Sequence, residues 1–379
     1  MIDYEILRVI WWLFIGVILV GFCIMDGQDM GVGTLLPFLG KNDTERRCMI
    51  NAVAPHWDGN QVWLITGGAG IFAAWPLMYA VAFSGFYWAM LIVLAALILR
   101  PVGFDFRSKL EATKWRDAWD KALFIGSAVP PVIFGVAFGN LLMGVPFHFT
   151  DSMHPVYTGS FFGLLNPFSL LCGIISLAMT VYHGGNYLAL RTEGSLQERA
   201  QNAAALAGTV TCLLFVLAGI WVYFGIDGLV VTGGLDPDGP SNPMLKTVES
   251  ATGAWFANFW ALPALFAVPG VAVAASLAGV GFVKTGKSGL AIVCSSLTML
   301  GIVLTPLIAI FPFVLPSSSV LNASLTLWDC TSSQLTLEVM FFVVVLFLPI
   351  VLAYTGWAYK VMSGKLTARY IAENDHMLY

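Results

Sequence analysis

Apolar residues run along this chain in long blocks, at roughly residues 9–25, 77–99, 122–143, 168–190, 203–224, 255–283, 290–313 and 335–361. At 1.5 Å per residue, a block of about 20 residues covers the ~30 Å hydrocarbon core of a bilayer, so each block predicts a transmembrane helix. Residues 48–75 break the pattern, because they are polar for half their length. They must nevertheless join the two sides of the membrane if the later helices are to alternate. The expectation is therefore an all-α, polytopic membrane protein of about nine transmembrane helices, with the second one unusual. Residues 1–379 are read as a single integral membrane domain.

The basic residues set the orientation. Lys41, Arg46 and Arg47 follow the first block, and Arg100, Arg107, Lys109, Lys114, Arg116 and Lys121 surround the next odd-numbered connection. Arg191, Arg199, Lys284, Lys287, Lys360, Lys365 and Arg369 fall on the same side, and of the 18 Lys and Arg residues this leaves only Arg8 and Lys246 opposite. Cytoplasmic loops carry such an excess, so the N-terminus is expected in the periplasm and the C-terminus in the cytoplasm. If residues 48–75 were a loop on one side, the alternation would fail. The charge bias itself thus argues for nine spans.

Composition agrees: 58% of residues are hydrophobic, 11% are charged, and the mean hydropathy is +0.81. A soluble fold does not carry those values. The net charge of −4 gives no reason to expect a nucleic acid partner. Asp3, Glu5 and Arg8 at the start do not form the basic region of a cleavable signal, so the first helix is expected to remain. The cysteines at 23, 48, 172, 212, 294 and 330 form no Cys-x-x-Cys pair and read as small packing residues rather than metal ligands. Two connections are longer than the rest. Residues 104–121, with Trp115 and Trp119 one turn apart, are expected to lie along the headgroups, and residues 225–252 to form a periplasmic loop turning at Asp236-Pro237 and Gly239-Pro240. A serine at 332 or 333 is expected to cap the last helix.

Chemistry is suggested by acidic residues placed inside spans, where ionisable groups are functional suspects. Asp26 lies about 25 Å down the first helix, and Asp29 one turn deeper on the same face. Asp58 is expected roughly 15 Å into the second span, near the bilayer middle, with Gln61 on its face and His56 and Asn60 on the adjoining one. Pro55 withholds a helical donor from the Asn51 carbonyl and Gly59 admits close approach, so this row reads as a polar track for protons. Arg100, Arg46 and Arg47 are the possible charge partners. The competing reading is that the same residues only bind helices together through buried hydrogen bonds. For His56 and His183 a haem-ligand role is conceivable, but no second histidine matches in depth, and no metal site is expected.

Several motifs resemble subunit II of the cytochrome bd quinol oxidases across essentially the whole chain. They are Ile10-Trp11-Trp12, Asp26-Gly27-x-Asp29-Met30-Gly31-Val32-Gly33, Asn42-Asp43-x-Glu45-Arg46-Arg47, and the run from Pro55 to Trp63. Arg100 to Asp105, Val136 to Asn140 and Ser332 to Thr336 complete the set. One departure is Gln28, where the family pattern leads one to expect an aromatic residue. The resemblance implies two four-helix bundles plus one peripheral helix, in the bacterial inner membrane. It implies a complex that oxidises ubiquinol or menaquinol and reduces oxygen to water with cytoplasmic protons.

Haem b and haem d are implied on the partner, the haem-bearing subunit I, rather than on this chain. A very short third subunit, a structurally bound ubiquinone or menaquinone and membrane lipids are further implied associates. The chain alone would then not be catalytic but would border the proton route (Asp58, Asp26, Asp29) and oxygen access. Intramembrane carboxylates by themselves would equally suit a secondary transporter or channel, although the matched broken helices of transporter halves are not evident. A pure assembly scaffold is the third reading.

Overall fold

The computed structural model describes residues 2–374 and 378–379 and is helical through most of its length. The first helix, α1 (Tyr4–Leu39), is followed by α2 (Asp43–Val53), α3 (Trp57–Ala74), α4 (Pro76–Gly85) and α5 (Tyr87–Arg107). Then come α6 (Thr113–Met143), α7 (Pro167–Arg191), α8 (Gly194–Gly225), the short α9 (Ala257–Ala261), α10 (Ala267–Lys284), α11 (Ser288–Ile310), α12 (Gln334–Val361) and α13 (Ala368–Glu373). Among the described residues, eight helices are long and apolar enough to cross a membrane: α1, α5, α6, α7, α8, α10 with the turn before it, α11 and α12. α3, whose 18 residues span about 27 Å, stands in the place of the expected second span but is not apolar enough to be counted with these eight.

The expected second span is not one helix. α2 ends at Val53, the His56 amide turns back to the Val53 carbonyl, and α3 begins only at Trp57. Pro55, with no amide hydrogen, is the reason for the break. Two other expectations change in the same way. The block at 77–99 is divided at Phe86, so that α4 stays at one end and α5 alone crosses. Residues 104–121 form no separate interfacial helix: they are the end of α5, a turn, and the start of α6, and Trp115 donates to the Phe106 carbonyl across that turn.

α1, α3, α5 and α6 pack as one bundle and α7, α8, α10 and α11 as a second, with α1 also lying against α7 and α11. The α1–α7 seam is backbone on backbone. A Cβ placed on Gly31 would fall 2.1 Å from the Thr180 carbonyl oxygen, and one on Gly184 would fall 2.6 Å from the Gly31 Cα. Small residues are how membrane helices gain close packing where hydrophobic burial gives no drive. α12 lies outside both bundles with only Leu337 fully buried, and it is the peripheral helix that the resemblance led one to expect.

The two ends differ. At one end lie three antiparallel ribbons: β1 (Phe147–Phe149) with β2 (Pro155–Tyr157), β3 (Asp227–Gly233) with β4 (Thr247–Thr252), and β5 (Phe313–Leu315) with β6 (Leu325–Thr326). The two basic residues of this end are buried in it. Arg8 donates to the Thr331 hydroxyl, to Ser241 and to the Pro237 and Gly239 carbonyls, while Lys246 pairs with Asp329 at 2.8 Å. Ser333 caps α12, as expected for one of the two serines.

The opposite end carries the basic loops and is welded by ion pairs. Arg107, buried, binds Asp120 and Asp43; Arg46 binds Asp120 and Asp117; Arg116 binds Asp43; and Arg199 binds Glu45 at 2.7 Å. These tie the α1–α2 turn to α5, α6 and α8. Burial would raise the Glu45 carboxyl pKa, but Arg199 and the Lys41 amide outweigh it and hold the value below the ordinary one.

Candidate functional site

α1 carries Asp26, Gln28 and Asp29 within one helical turn, and each points to a different partner. Asp26 faces α5, where Arg100 grips it with two bonds, Nη1 to Oδ2 at 2.9 Å and Nη2 to Oδ1 at 2.6 Å; neither residue has solvent exposure. Asp29 faces α3. Its Oδ2 accepts from the Asn60 amide at 2.7 Å, and its Oδ1, also buried, has no hydrogen-bond partner among the described residues. The two carboxylates therefore sit one turn apart in unlike company. One is neutralised by a cation and the other is held by a neutral amide.

The second amide hydrogen of Asn60 goes to the Tyr359 hydroxyl of α12 at 2.8 Å, and Gln28 donates to the same oxygen at 2.5 Å. His56, at the start of α3, lies flat on the Tyr359 ring with centroids 3.9 Å apart and 7° between planes. Because Asn60 falls one turn beyond His56, both reach inward from the same face of α3. Asp29, Asn60, Tyr359, His56 and Gln28 form one polar cluster where α1, α3 and α12 meet.

The expected row is thus partly assembled and partly corrected. Asp29, His56 and Asn60 come together, and Asp26 stands one turn away, bound to Arg100. Asp58 does not join them, because α3 restarts at Trp57 and puts Asp58 in the first turn of a new helix, not in the middle of a long one. A rotation of about 100° per residue then turns Asp58 outward when Trp57 and Asn60 face in, so it is exposed on the isolated chain, with Gln61 half-buried beside it. Of the proposed charge partners, Arg100 serves Asp26. Arg46 and Arg47 do not reach either carboxylate: Arg46 joins the ion pairs at the basic end, and Arg47 donates to the Tyr379 carbonyl at 2.9 Å.

Tyr359 escaped the sequence reading. Near the end of an apolar helix beside Lys360, it looks like an interfacial anchor, and only Gln28, the departure from the family pattern, gave a local sign of an added polar contact. His183 is fixed by other bonds. Its Nε2 faces the Ile24 carbonyl at 3.0 Å and so carries a hydrogen, while Nδ1 meets the Ser295 hydroxyl at 2.7 Å. Both ring nitrogens are thereby used within the chain, so His183 does not fit an axial haem ligand. Among the described residues no group of His, Cys, Asp or Glu is disposed to hold a metal ion.

Fold and site together define a multi-pass helical membrane protein whose buried carboxylates are held by a cation and by amides, without a metal-ligating centre among the described residues. A family model for cytochrome bd terminal oxidase subunit II matches residues 7–362, and the chain belongs to that family. It is 56% identical over 379 residues, all of both chains, to cytochrome bd-I ubiquinol oxidase subunit 2 of Escherichia coli (strain K12). It is 32% identical over 359 residues to cytochrome bd ubiquinol oxidase subunit 2 of Bacillus subtilis (strain 168), covering 94% of this chain and 96% of that one. Among solved structures, the bd oxidase from Geobacillus thermodenitrificans has a similar fold, with a TM-score of 0.69 at 14% identity over 94% of this chain and 98% of the other. Family membership sets aside the transporter reading.

Proposed function

We propose that this chain is the second subunit of a bd-type oxidase that couples quinol oxidation to the reduction of oxygen to water, and that it conducts protons to a haem-bearing subunit I. The names of the relatives support the activity. Haem b and haem d, assigned here to subunit I, supply electron transfer and oxygen reduction. The basic loops support an orientation with that end in the cytoplasm of a bacterial inner membrane and the ribbon end in the periplasm. A very short third subunit, lipids, and a structural ubiquinone or menaquinone complete the expected assembly, and oxygen reaches the haems past this chain or through the partner.

The unequal pairing of the two α1 carboxylates carries the proton-route reading. Both oxygens of Asp26 are taken by Arg100, and breaking that pair would leave an uncompensated buried guanidinium, so Asp26 is the fixed member. Asp29 can take up or give back a proton without stranding a cation, and its second oxygen is free to do so. Asp58, exposed at the end of α3 that lies towards the basic loops, is the proton collector, and His56 and Asn60 connect that mouth to Asp29. Gln61 lines the outward side.

The test is quinol oxidase turnover of Asp29→Asn and Asp58→Asn complexes, normalised to haem content. Both variants are expected to be slowed with haem retained. Full turnover in a fully loaded Asp29→Asn complex overturns the route, and loss of haem from it favours the scaffold role instead.

A further inference from the structure

The peripheral helix α12 is joined to the body in an uneven way. At its ribbon end it is pinned by Gln334 donating to the Ile2 carbonyl, by the Glu338 carboxylate accepting from the Ile2 amide, and by Trp11 donating to the Leu337 carbonyl. Along its middle it borders a largely apolar groove of about 300 Å³ lined by residues such as Phe14, Trp63 and Phe347. At the basic end its polar attachment to the bundle is Tyr359, whose hydroxyl oxygen accepts from both Gln28 and Asn60. Asn60 has two amide hydrogens, one on Asp29 and one on Tyr359. The amide plane is therefore fixed at both corners only while Tyr359 is in place.

We infer that Tyr359 is a positioning residue for proton transfer at Asp29: through Asn60 it holds the donor that orients the carboxyl, and Gln28 holds Tyr359. The inference rests on the proton-route reading above. The Tyr359 hydroxyl also donates to the Asn60 carbonyl oxygen at 3.2 Å, so without it Asn60 keeps only its bond to Asp29 and can rotate about it, and the Asp29 carboxyl loses its fixed direction. The stack on His56 is an aromatic contact that a phenylalanine would keep, which separates the role of the hydroxyl from that of the ring. The ionisable groups around Tyr359 are Asp29 on α1, His56 before α3 and Tyr187 on α7, with Asp26 and Arg100 paired behind them.

The experiment compares Tyr359→Phe, Gln28→Leu and Asp29→Asn in the intact oxidase complex, following haem content, kcat, the KM for quinol and the solvent deuterium isotope effect on turnover. Tyr359→Phe is expected to lower kcat about fivefold, the size of one neutral hydrogen bond, with KM and haem unchanged and a larger isotope effect. Gln28→Leu should follow in the same direction and by less. Tyr359→Phe that matches the wild type while Asp29→Asn is slow overturns the inference and leaves the route standing. Asp29→Asn that matches the wild type removes the route, and the inference with it. Loss of haem or a raised KM in Tyr359→Phe assigns the tyrosine to structure and also overturns it.

Discussion

Arg100 and Asp26 meet inside the first bundle through two parallel N–H···O bonds, and neither side chain has any solvent exposure. Such a bidentate pair is directional as well as strong, so it fixes how α1 is rotated against α5. That rotation is what leaves Asp29 facing α3. Asp26→Ala is expected to strand the guanidinium and destabilise the protein by about 3–5 kcal/mol, whereas Asp26→Leu combined with Arg100→Leu should recover much of the loss. Thermal unfolding in detergent checks this; equal stability of the single and double variants would contradict it.

Asp29→Asn removes the titrating group but preserves shape and the bond to Asn60. Turnover is expected to drop by roughly 10²-fold or more, in the range of a lost proton-transferring group, with only a small effect on thermal stability. Oxygen consumption at saturating quinol, measured beside the haem spectrum, decides it.

At the basic end Asp120 accepts from both Arg107 and Arg46, and Arg107 is buried. Asp120→Ala leaves that guanidinium with Asp43 alone, and a loss of about 3 kcal/mol is expected. Since the same lattice ties α2 to α6, the yield of folded protein should fall before activity per haem does.

The α1–α7 seam predicts its own sensitivity. Gly31→Ala places a methyl 2.1 Å from the Thr180 carbonyl oxygen, a backbone atom that cannot step aside. An overpacking cost of about 1–3 kcal/mol is expected, read as a lower unfolding temperature. Ala at Gly59, whose Cβ would meet nothing within 4 Å, serves as the tolerant control in the isolated chain.

Glu45 gives a pH dependence with a defined sign. Its folded pKa lies below the ordinary 4.5, so the stabilisation is complete above that value and is lost as the pH falls through the folded pKa. The stability gap between wild type and Glu45→Gln should therefore be present at pH 7 and shrink as the pH falls below the ordinary 4.5. A gap that widens in acid would contradict the assignment.

The eight long apolar helices, the alternation of basic loops and the acidic residues on α1 were legible in the chain, because hydrocarbon thickness and charge exclusion act on each segment separately. Pro55 announced a disturbance in the second span, and Ser333 its cap. Which way Asp58 pointed was not legible: moving the helix start to Trp57 by a few residues rotates every side chain, and that register depends on what α1, α5 and α12 offer. The same holds for the partners of each charge. Arg100, Arg46 and Arg47 were equivalent candidates in sequence, and only packing assigned one to Asp26 and two elsewhere. Tyr359 is separated from Asn60 by 299 residues, and no local pattern could join them. The sequence by itself determined a membrane protein with carboxylates in its spans, because solvation is a property of a segment. The tertiary structure decided which carboxylate is locked and which is free, because pairing depends on side chains brought together from distant helices.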